Sequence, residues 1–176
     1  MKKGMLFILI LTVMYLSLSN SYDNKFIIPN EAIRLRVIPN SNSNTDQNIK
    51  NKVSTKLQHS MIKLLGNTTS INDARNIIKG NLKNIDKEIG TLLRHENYNL
   101  KYNINFGDNY FPEKIYKGVT YKEGYYESVK VTLGEGLGDN WWCVLFPPLC
   151  LIEAEESTEV EYKFFVEEII KKYFRI

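Results

Sequence analysis

The chain has 176 residues, of which 43% are hydrophobic and 12% aromatic, a composition typical of a folded globular protein and not of a disordered one. Its net charge is +3, and removal of an N-terminal segment containing Lys2 and Lys3 would leave 21 basic against 20 acidic residues. A chain without a basic excess cannot neutralise many phosphates, so the charge argues against nucleic acid as a partner.

The N-terminus has the pattern of an export signal. Two lysines precede an uncharged, mostly apolar segment at residues 4–18, and small residues follow at positions suited to cleavage. We expect residues 1–21 to be a signal peptide. The alternative is a retained anchor, although a helix over this segment would rise only about 22 Å, less than a hydrocarbon core of about 30 Å. Residues 22–31 are predicted to be a linker and residues 32–176 a single domain outside the membrane.

The first predicted strand carries two arginines on one face. Ile33, Leu35 and Val37 alternate with Arg34 and Arg36, which is the pattern of a half-buried strand. We expect the two arginines to lie on a solvated face and to pair with nearby acidic side chains. The alternative is that they form a recognition pair for a carboxylate.

Two amphipathic helices are predicted after this strand. Apolar residues recur on one stripe across residues 49–65 and on another across residues 74–92. Asn44 and Ser70 are suited to be their N-caps. The short Gly-Asn-Thr-Thr connection favours an antiparallel helix pair.

Strand patterns occupy the next part of the chain. Residues 100–106 alternate and should end in a turn at residues 107–109, while residues 115–121 and 125–133 are predicted to form a hairpin.

A last helix is predicted from about residue 160, after an acidic run at residues 153–161. The order of elements predicts an α+β fold. In this fold an antiparallel sheet of about four to five strands packs, on one face, against a helical hairpin and a C-terminal helix.

The most distinctive stretch is residues 134–150, Gly-Glu-Gly-Leu-Gly-Asp-Asn-Trp-Trp-Cys-Val-Leu-Phe-Pro-Pro-Leu-Cys. Its three alternate glycines permit a tight turn or the close approach of another backbone. Its apolar run predicts a buried strand whose two tryptophans point to opposite faces, and an exposed tryptophan beside flexible glycines suits a protein-binding surface. Burial of both tryptophans is the equally weighted alternative. The candidate partner-binding residues are Gly134, Gly136, Gly138, Asn140, Trp141, Trp142, Arg34 and Arg36.

Cys143 and Cys150 are predicted to form a disulfide. They are the only two cysteines of a chain with the pattern of an exported protein, and the Pro-Pro pair between them bends the backbone. The alternatives are two reduced buried thiols or one reactive thiol.

The sequence contains no recognisable catalytic, cofactor-binding or metal-binding set. The glycines are not followed by the Lys-Ser or Lys-Thr of a phosphate-binding loop. His59 and His95 are 36 positions apart, so they do not form the close pair typical of a zinc site. We therefore expect a binding or signalling protein and not an enzyme.

Two segments closely resemble the signature of the stage II sporulation protein R family of endospore-forming bacteria. They are residues 134–150 and residues 33–43, Ile-Arg-Leu-Arg-Val-Ile-Pro-Asn-Ser-Asn-Ser. The resemblance extends from Asn30 to the C-terminus, although residues 153–159 match none of its motifs.

This resemblance implies a protein that is secreted into the space between the forespore and mother-cell membranes. There it would trigger a membrane-embedded receptor protease of the mother cell, which processes the precursor of the sigma-E sporulation factor. Its own membrane contact would be limited to the N-terminal signal or anchor. The alternative function is an exported cell-envelope hydrolase that attacks peptidoglycan with Cys143 as its nucleophile.

Overall fold

The computed structural model describes residues 12, 26–27, 31–116, 119–149 and 159–174 and has the predicted α+β fold. Its helices include the predicted hairpin and the predicted C-terminal helix: α1 (Asn44–Leu65), α2 (Ile71–His95) and α3 (Glu159–Phe174). Its strands are β1 (Phe26–Ile27), β2 (Ile33–Ile38), β3 (Tyr102–Phe111), β4 (Lys114–Tyr116), β5 (Val119–Tyr121), β6 (Gly124–Leu133) and β7 (Trp141–Phe146).

The main sheet has four strands in the order β3-β6-β2-β7. β3 pairs with β6, and β2 with β7, in antiparallel orientation, whereas β2 and β6 are parallel. The sheet is therefore mixed and not wholly antiparallel as predicted. The parallel pair is possible because α1, α2 and β3 lie between β2 and β6 in the chain and supply the long crossover that parallel strands require.

The predicted hairpin of residues 115–121 with residues 125–133 is wrong, because residues 115–121 belong to a second sheet. Its order is β1-β5-β4, and residues 115–121 do not form one strand but fold back so that Ile115 lies opposite Thr120. β6 pairs with β3 and β2 and not with this segment. β1 lies within the predicted linker, where Phe26 is opposite Val119.

The predicted turn at residues 107–109 is also wrong, because β3 continues through it and pairs with β6 along ten residues. Asn109 is buried, and its amide donates to the hydroxyl of Ser128 at 3.0 Å and to the carbonyl of Gly107 at 3.0 Å. These bonds satisfy a polar side chain inside the sheet, so a residue typical of turns is accommodated within a strand.

The main sheet is covered on both faces and not on one as predicted. Leu35 and Val37 of β2 pack with the apolar stripes of α1 and α2. Val144 lies opposite Arg34 in the sheet and belongs to a second buried cluster. That cluster consists of Ala32, Val119, Val144, Leu149, Val166 and Ile170. Because successive side chains on a strand alternate, Arg34 faces this second layer.

None of the helices in the described ranges is both long and apolar enough to cross a membrane. The predicted signal peptide, residues 1–21, lies outside the described residues except for Thr12.

Candidate partner-binding site

The two segments that carry the family resemblance lie against each other. β7 pairs with β2, and the loop before β7 packs on the loop after β2. The amide of Leu137 donates to the carbonyl of Asn40 at 3.1 Å, and the amide of Gly138 donates to the carbonyl of Pro39 at 3.1 Å. We call residues 134–140 the glycine loop and residues 39–42 the Asn-Ser loop.

The glycines are required for this loop-to-loop contact. Gly134 and Gly136 have positive φ angles of 56° and 68°, which side chains rarely adopt. A Cβ at Gly134 would overlap the side chain of Asn40, and one at Gly138 would overlap the carbonyl group of Ser41. The close backbone approach predicted from these glycines therefore occurs within the chain, to its own Asn-Ser loop.

Asp46, in the first turn of α1, holds the Asn-Ser loop in place. Its carboxylate accepts hydrogen bonds from the Ser41 hydroxyl at 2.5 Å and from the Asn40 amide at 3.0 Å. These two hydrogen bonds lower the pKa of Asp46 below its usual value, and the side chain of Ser43 contributes in the same direction. The side-chain oxygen of Asn40 accepts from the amide of Glu135 at 3.0 Å, so the glycine loop is tied to the start of α1.

The helix itself begins one residue earlier than predicted, because Ser43 and not Asn44 is its N-cap. The Ser43 hydroxyl accepts a hydrogen bond from the Asp46 amide at 3.2 Å. Asp46 could have been found in the sequence as the acidic residue three positions after a serine cap. The N-cap predicted at Ser70 is confirmed.

The two tryptophans lie on opposite faces of β7, as the alternation of a strand predicts, and each is half-buried. Trp141 packs against the core formed with α1 and α2. Trp142 meets Phe111 edge-on, with ring centroids 5.2 Å apart. The indole nitrogen of Trp142 is buried and has no hydrogen-bond acceptor among the residues that the structure describes.

Arg34 is buried inside the protein, contrary to the predicted solvated position. Only 2% of the residue is exposed, and within the described ranges none of its three guanidinium nitrogens has a partner, Tyr126 included, in hydrogen-bond geometry. The guanidinium carbon lies 3.3 Å from the ring centroid of Tyr126 and 5.5 Å from that of Phe111. The Tyr126 hydroxyl donates instead to the carbonyl of Lys122. Burial lowers the pKa of Arg34, although the tyrosines Tyr126 and Tyr121 act in the opposite direction.

Arg36 is half-buried and held by neutral oxygens. It donates to the carbonyl of Tyr110 at 2.8 Å. With the amide of Asn140 oriented to satisfy both of its neighbours, the Asn140 oxygen accepts from Arg36 at 2.7 Å and its nitrogen donates to Gly138 at 3.1 Å. Burial lowers the pKa of Arg36. The structure thus brings Asn140, a predicted site residue, into direct contact with Arg36.

Two lysines that the sequence did not indicate complete a basic surface around Trp142. The Lys114 ammonium lies 5.2 Å from the Trp142 ring and the Arg36 guanidinium 5.7 Å from it. Lys50 of α1 donates to the carbonyl of Asp139 at 3.3 Å. Burial lowers the pKa of Lys50, Asp139 raises it, and Lys114 lowers it further. We call Arg36, Lys50, Lys114 and Trp142 the Trp142 patch.

Cys143 lies opposite Leu35 in the sheet, is half-buried and packs against the core of α1 and α2. Cys150 lies outside the described residues, so the disulfide stays a prediction. His59 and His95 are exposed on α1 and α2. Across the ranges that the structure describes, no three His, Cys, Asp or Glu side chains group closely enough to bind a metal ion.

Residues 29–156 match the model of the family described as stage II sporulation protein R. The chain belongs to this family. The family resemblance of the two signature segments is thereby confirmed, and the family's name supports a role in sporulation.

A relative in Bacillus subtilis (strain 168), stage II sporulation protein R, is 36% identical over 141 residues. The match covers 80% of this chain and 63% of the relative, so the chain spans less than two thirds of the relative's length. No solved structure matches the chain significantly.

Proposed function

We propose that this family member is an exported sporulation signal that activates a membrane-embedded protease by contact, without cleaving a substrate itself. The protease is the mother-cell enzyme that processes the precursor of the sigma-E factor, and the signal acts from the space between the forespore and mother-cell membranes. Family membership supports the role in sporulation, and the basic and apolar N-terminus supports export.

The observation that supports a contact mechanism is that the two signature segments build one another's structure and contribute no catalytic group that the described residues show. They form β2, β7 and the two loops between them, and their polar side chains bond one another and the backbone. A nucleophile requires a base within hydrogen-bond reach. The two histidines lie exposed on the helices, and Cys143 packs among core residues.

Co-expression tests the proposed function. The chain is produced with the candidate membrane protease and the sigma-factor precursor in a host that lacks them, and precursor cleavage is scored. We expect cleavage when the exported chain is present and none when the protease is omitted. Absence of cleavage with all three components would contradict the proposal.

A matched pair of variants distinguishes the proposed signal from the alternative function, a peptidoglycan hydrolase that uses Cys143. A disulfide predicts that Cys143→Ser and Cys150→Ser have the same effect on activity, because either change breaks the bridge. A thiol nucleophile predicts that only Cys143→Ser abolishes activity. Release of peptidoglycan fragments by the wild-type chain, lost in Cys143→Ser alone, would favour the hydrolase.

A further inference from the structure

The Trp142 patch concentrates positive charge, and Asp139, which raises the pKa of Lys50, forms no ion pair with it in the described part of the chain. The described ion pairs of the domain involve other cations: Lys52, Lys56, Arg75, His95 and Lys171. Among the residues with described positions, no carboxylate lies within ion-pair distance of Arg36, Lys50 or Lys114. Beneath the patch, Arg34 adds a fourth positive charge, which is 98% buried and shares the Phe111 ring with Arg36.

Four unsatisfied buried groups around the patch are hydrogen-bond donors: the three guanidinium nitrogens of Arg34 and the indole nitrogen of Trp142. The unsatisfied acceptor on the same face, the side-chain oxygen of Asn105, belongs to β3, which lies two strands away from β2. Arginine and tryptophan carry no side-chain acceptor. Buried polar groups are normally hydrogen-bonded, so their missing partner must be an acceptor.

The patch is accessible as well as charged. Lys114 is exposed, whereas Arg36, Lys50 and Trp142 are half-buried. Arg36 is fixed by its bonds to Tyr110 and Asn140, so it loses little conformational freedom on binding a ligand. A partly exposed tryptophan beside a fixed arginine is the residue combination that dominates the energy of protein interfaces.

We infer that the Trp142 patch is the docking surface for an acidic segment of the partner protein, with a partner carboxylate contacting Arg36 and Lys114. This inference rests on the proposed function, since it names the chemistry by which the signal meets its receptor. Carboxylates are acceptors, carry the complementary charge and match the planar fork of a guanidinium. An anionic lipid surface would suit a broad basic face, whereas this patch is a small cluster on a nearly neutral chain.

A peptide titration tests the patch directly. Trp141→Phe leaves Trp142 as the single tryptophan of the chain, so its fluorescence reports on the patch. The secreted Trp141→Phe protein is titrated with a ten-residue glutamate peptide and, as control, a ten-residue lysine peptide. We expect saturable binding of the glutamate peptide alone, weakened when the ionic strength is raised from about 0.05 M to about 0.5 M.

A matched pair of lysine variants supplies the control. Lys114→Glu reverses one charge of the patch. Lys79→Glu reverses another exposed lysine, whose ammonium also lies over an aromatic ring, at 5.9 Å from Phe106. We expect Lys114→Glu to weaken peptide binding about tenfold and to reduce precursor cleavage in the co-expression assay. Lys79→Glu should change neither. Both positions are on the surface, so thermal melts should stay near wild type.

Trp142→Phe tests the indole donor and keeps an aromatic ring for packing. In the cleavage assay it should reduce activation while the melting temperature changes little.

The inference is overturned if Lys114→Glu and Lys79→Glu behave alike in both assays. It is also overturned if phosphatidylglycerol vesicles shift the Trp142 fluorescence and the glutamate peptide does not. Binding that appears only after Glu153, Glu155 and Glu156 are changed to Gln would assign the patch to the chain's own acidic run. If the wild-type chain fails to trigger cleavage, the proposed function fails, but the peptide titration still decides the chemistry of the patch.

Discussion

At the scale of single residues, Arg34 is a buried charge without a hydrogen-bond acceptor in the described part of the chain, and the effect of this charge on stability can be tested. Stacking of a desolvated cation on an aromatic ring contributes up to about 2 kcal/mol, whereas desolvation of an ion costs several kcal/mol. Desolvation is the larger effect. We therefore predict that Arg34→Met, with a similar length and no charge, leaves the free energy of unfolding in urea unchanged or raises it by about 1–2 kcal/mol.

Arg36→Met is the control for this substitution. Arg36 is bonded to Tyr110 and Asn140, so its loss should lower the free energy of unfolding by about 1 kcal/mol. If Arg34→Met instead lowered it by more than about 2 kcal/mol, the buried guanidinium would have a stabilising partner, and the argument from unsatisfied donors would be wrong.

Asp46 predicts a pH dependence of stability with a defined sign. Hydrogen bonds from Ser41 and Asn40 lower its pKa in the folded protein. A carboxylate with a lowered pKa contributes stability above its unfolded pKa of about 3.9, and that contribution is lost as the pH falls through the lower folded value. The difference in unfolding free energy between wild type and Asp46→Asn should be constant above about pH 5 and shrink below about pH 4. Urea unfolding of both proteins across this pH range measures the difference. A difference independent of pH would contradict the lowered pKa of Asp46.

At the scale of elements, the contact between the glycine loop and the Asn-Ser loop should be intolerant of one added methyl group. A Cβ at Gly138 would overlap the carbonyl of Ser41, which is backbone and cannot move aside easily. Gly138→Ala should lower the free energy of unfolding by about 1–3 kcal/mol.

Gly80 provides the opposite case. It lies in α2, and an added Cβ there would meet no atom within 4 Å. Gly80→Ala should therefore stabilise the protein by about 0.5–1 kcal/mol through its better helix propensity. Thermal melts of the two variants compare the effects, and equal melting temperatures would show that the loop contact does not constrain the fold.

The sequence was informative about elements whose signals are local. The apolar stripes of α1 and α2 follow the helical period, the cap of α2 is Ser70 as predicted, and β2 and β7 follow short apolar patterns. The pairing of β3 with β6 could not be read in this way, because strand partners are chosen by non-local contacts. The Gly-Asp-Asn run at residues 107–109 looked like a turn until Ser128 supplied a partner for Asn109.

Some residues of the candidate site could be placed from the sequence and others could not. The alternation of the strands correctly separated Trp141 from Trp142. The position of Arg34 was not predictable, because arginine is seldom buried and a second layer, which includes β5 and α3, covers its face. Lys50 and Lys114 come from α1 and β4, and only the fold brings Lys50 to the glycine loop at Asp139 and Lys114 to the Trp142 ring.

At the scale of the whole molecule, export is the prediction on which the proposed function depends first. Residues 1–21 combine a basic start with an apolar segment, the composition of a secretion signal. A tagged chain without these residues should stay in the cytoplasm when cells are fractionated, and the full chain should leave it. Normal secretion of the shortened chain would remove the basis for an extracytoplasmic signal.

The central claim is that contact, and not chemistry, activates the protease. The direct measurement is precursor cleavage in vesicles that contain the protease, with the secreted protein titrated in from outside and then washed away. A contact signal predicts that cleavage rises until the protein and the protease are present in comparable amounts, and that it stops after removal of the protein. Full activation by a small fraction of that amount, persisting after removal, would contradict the claim, because only a catalyst leaves a lasting change behind.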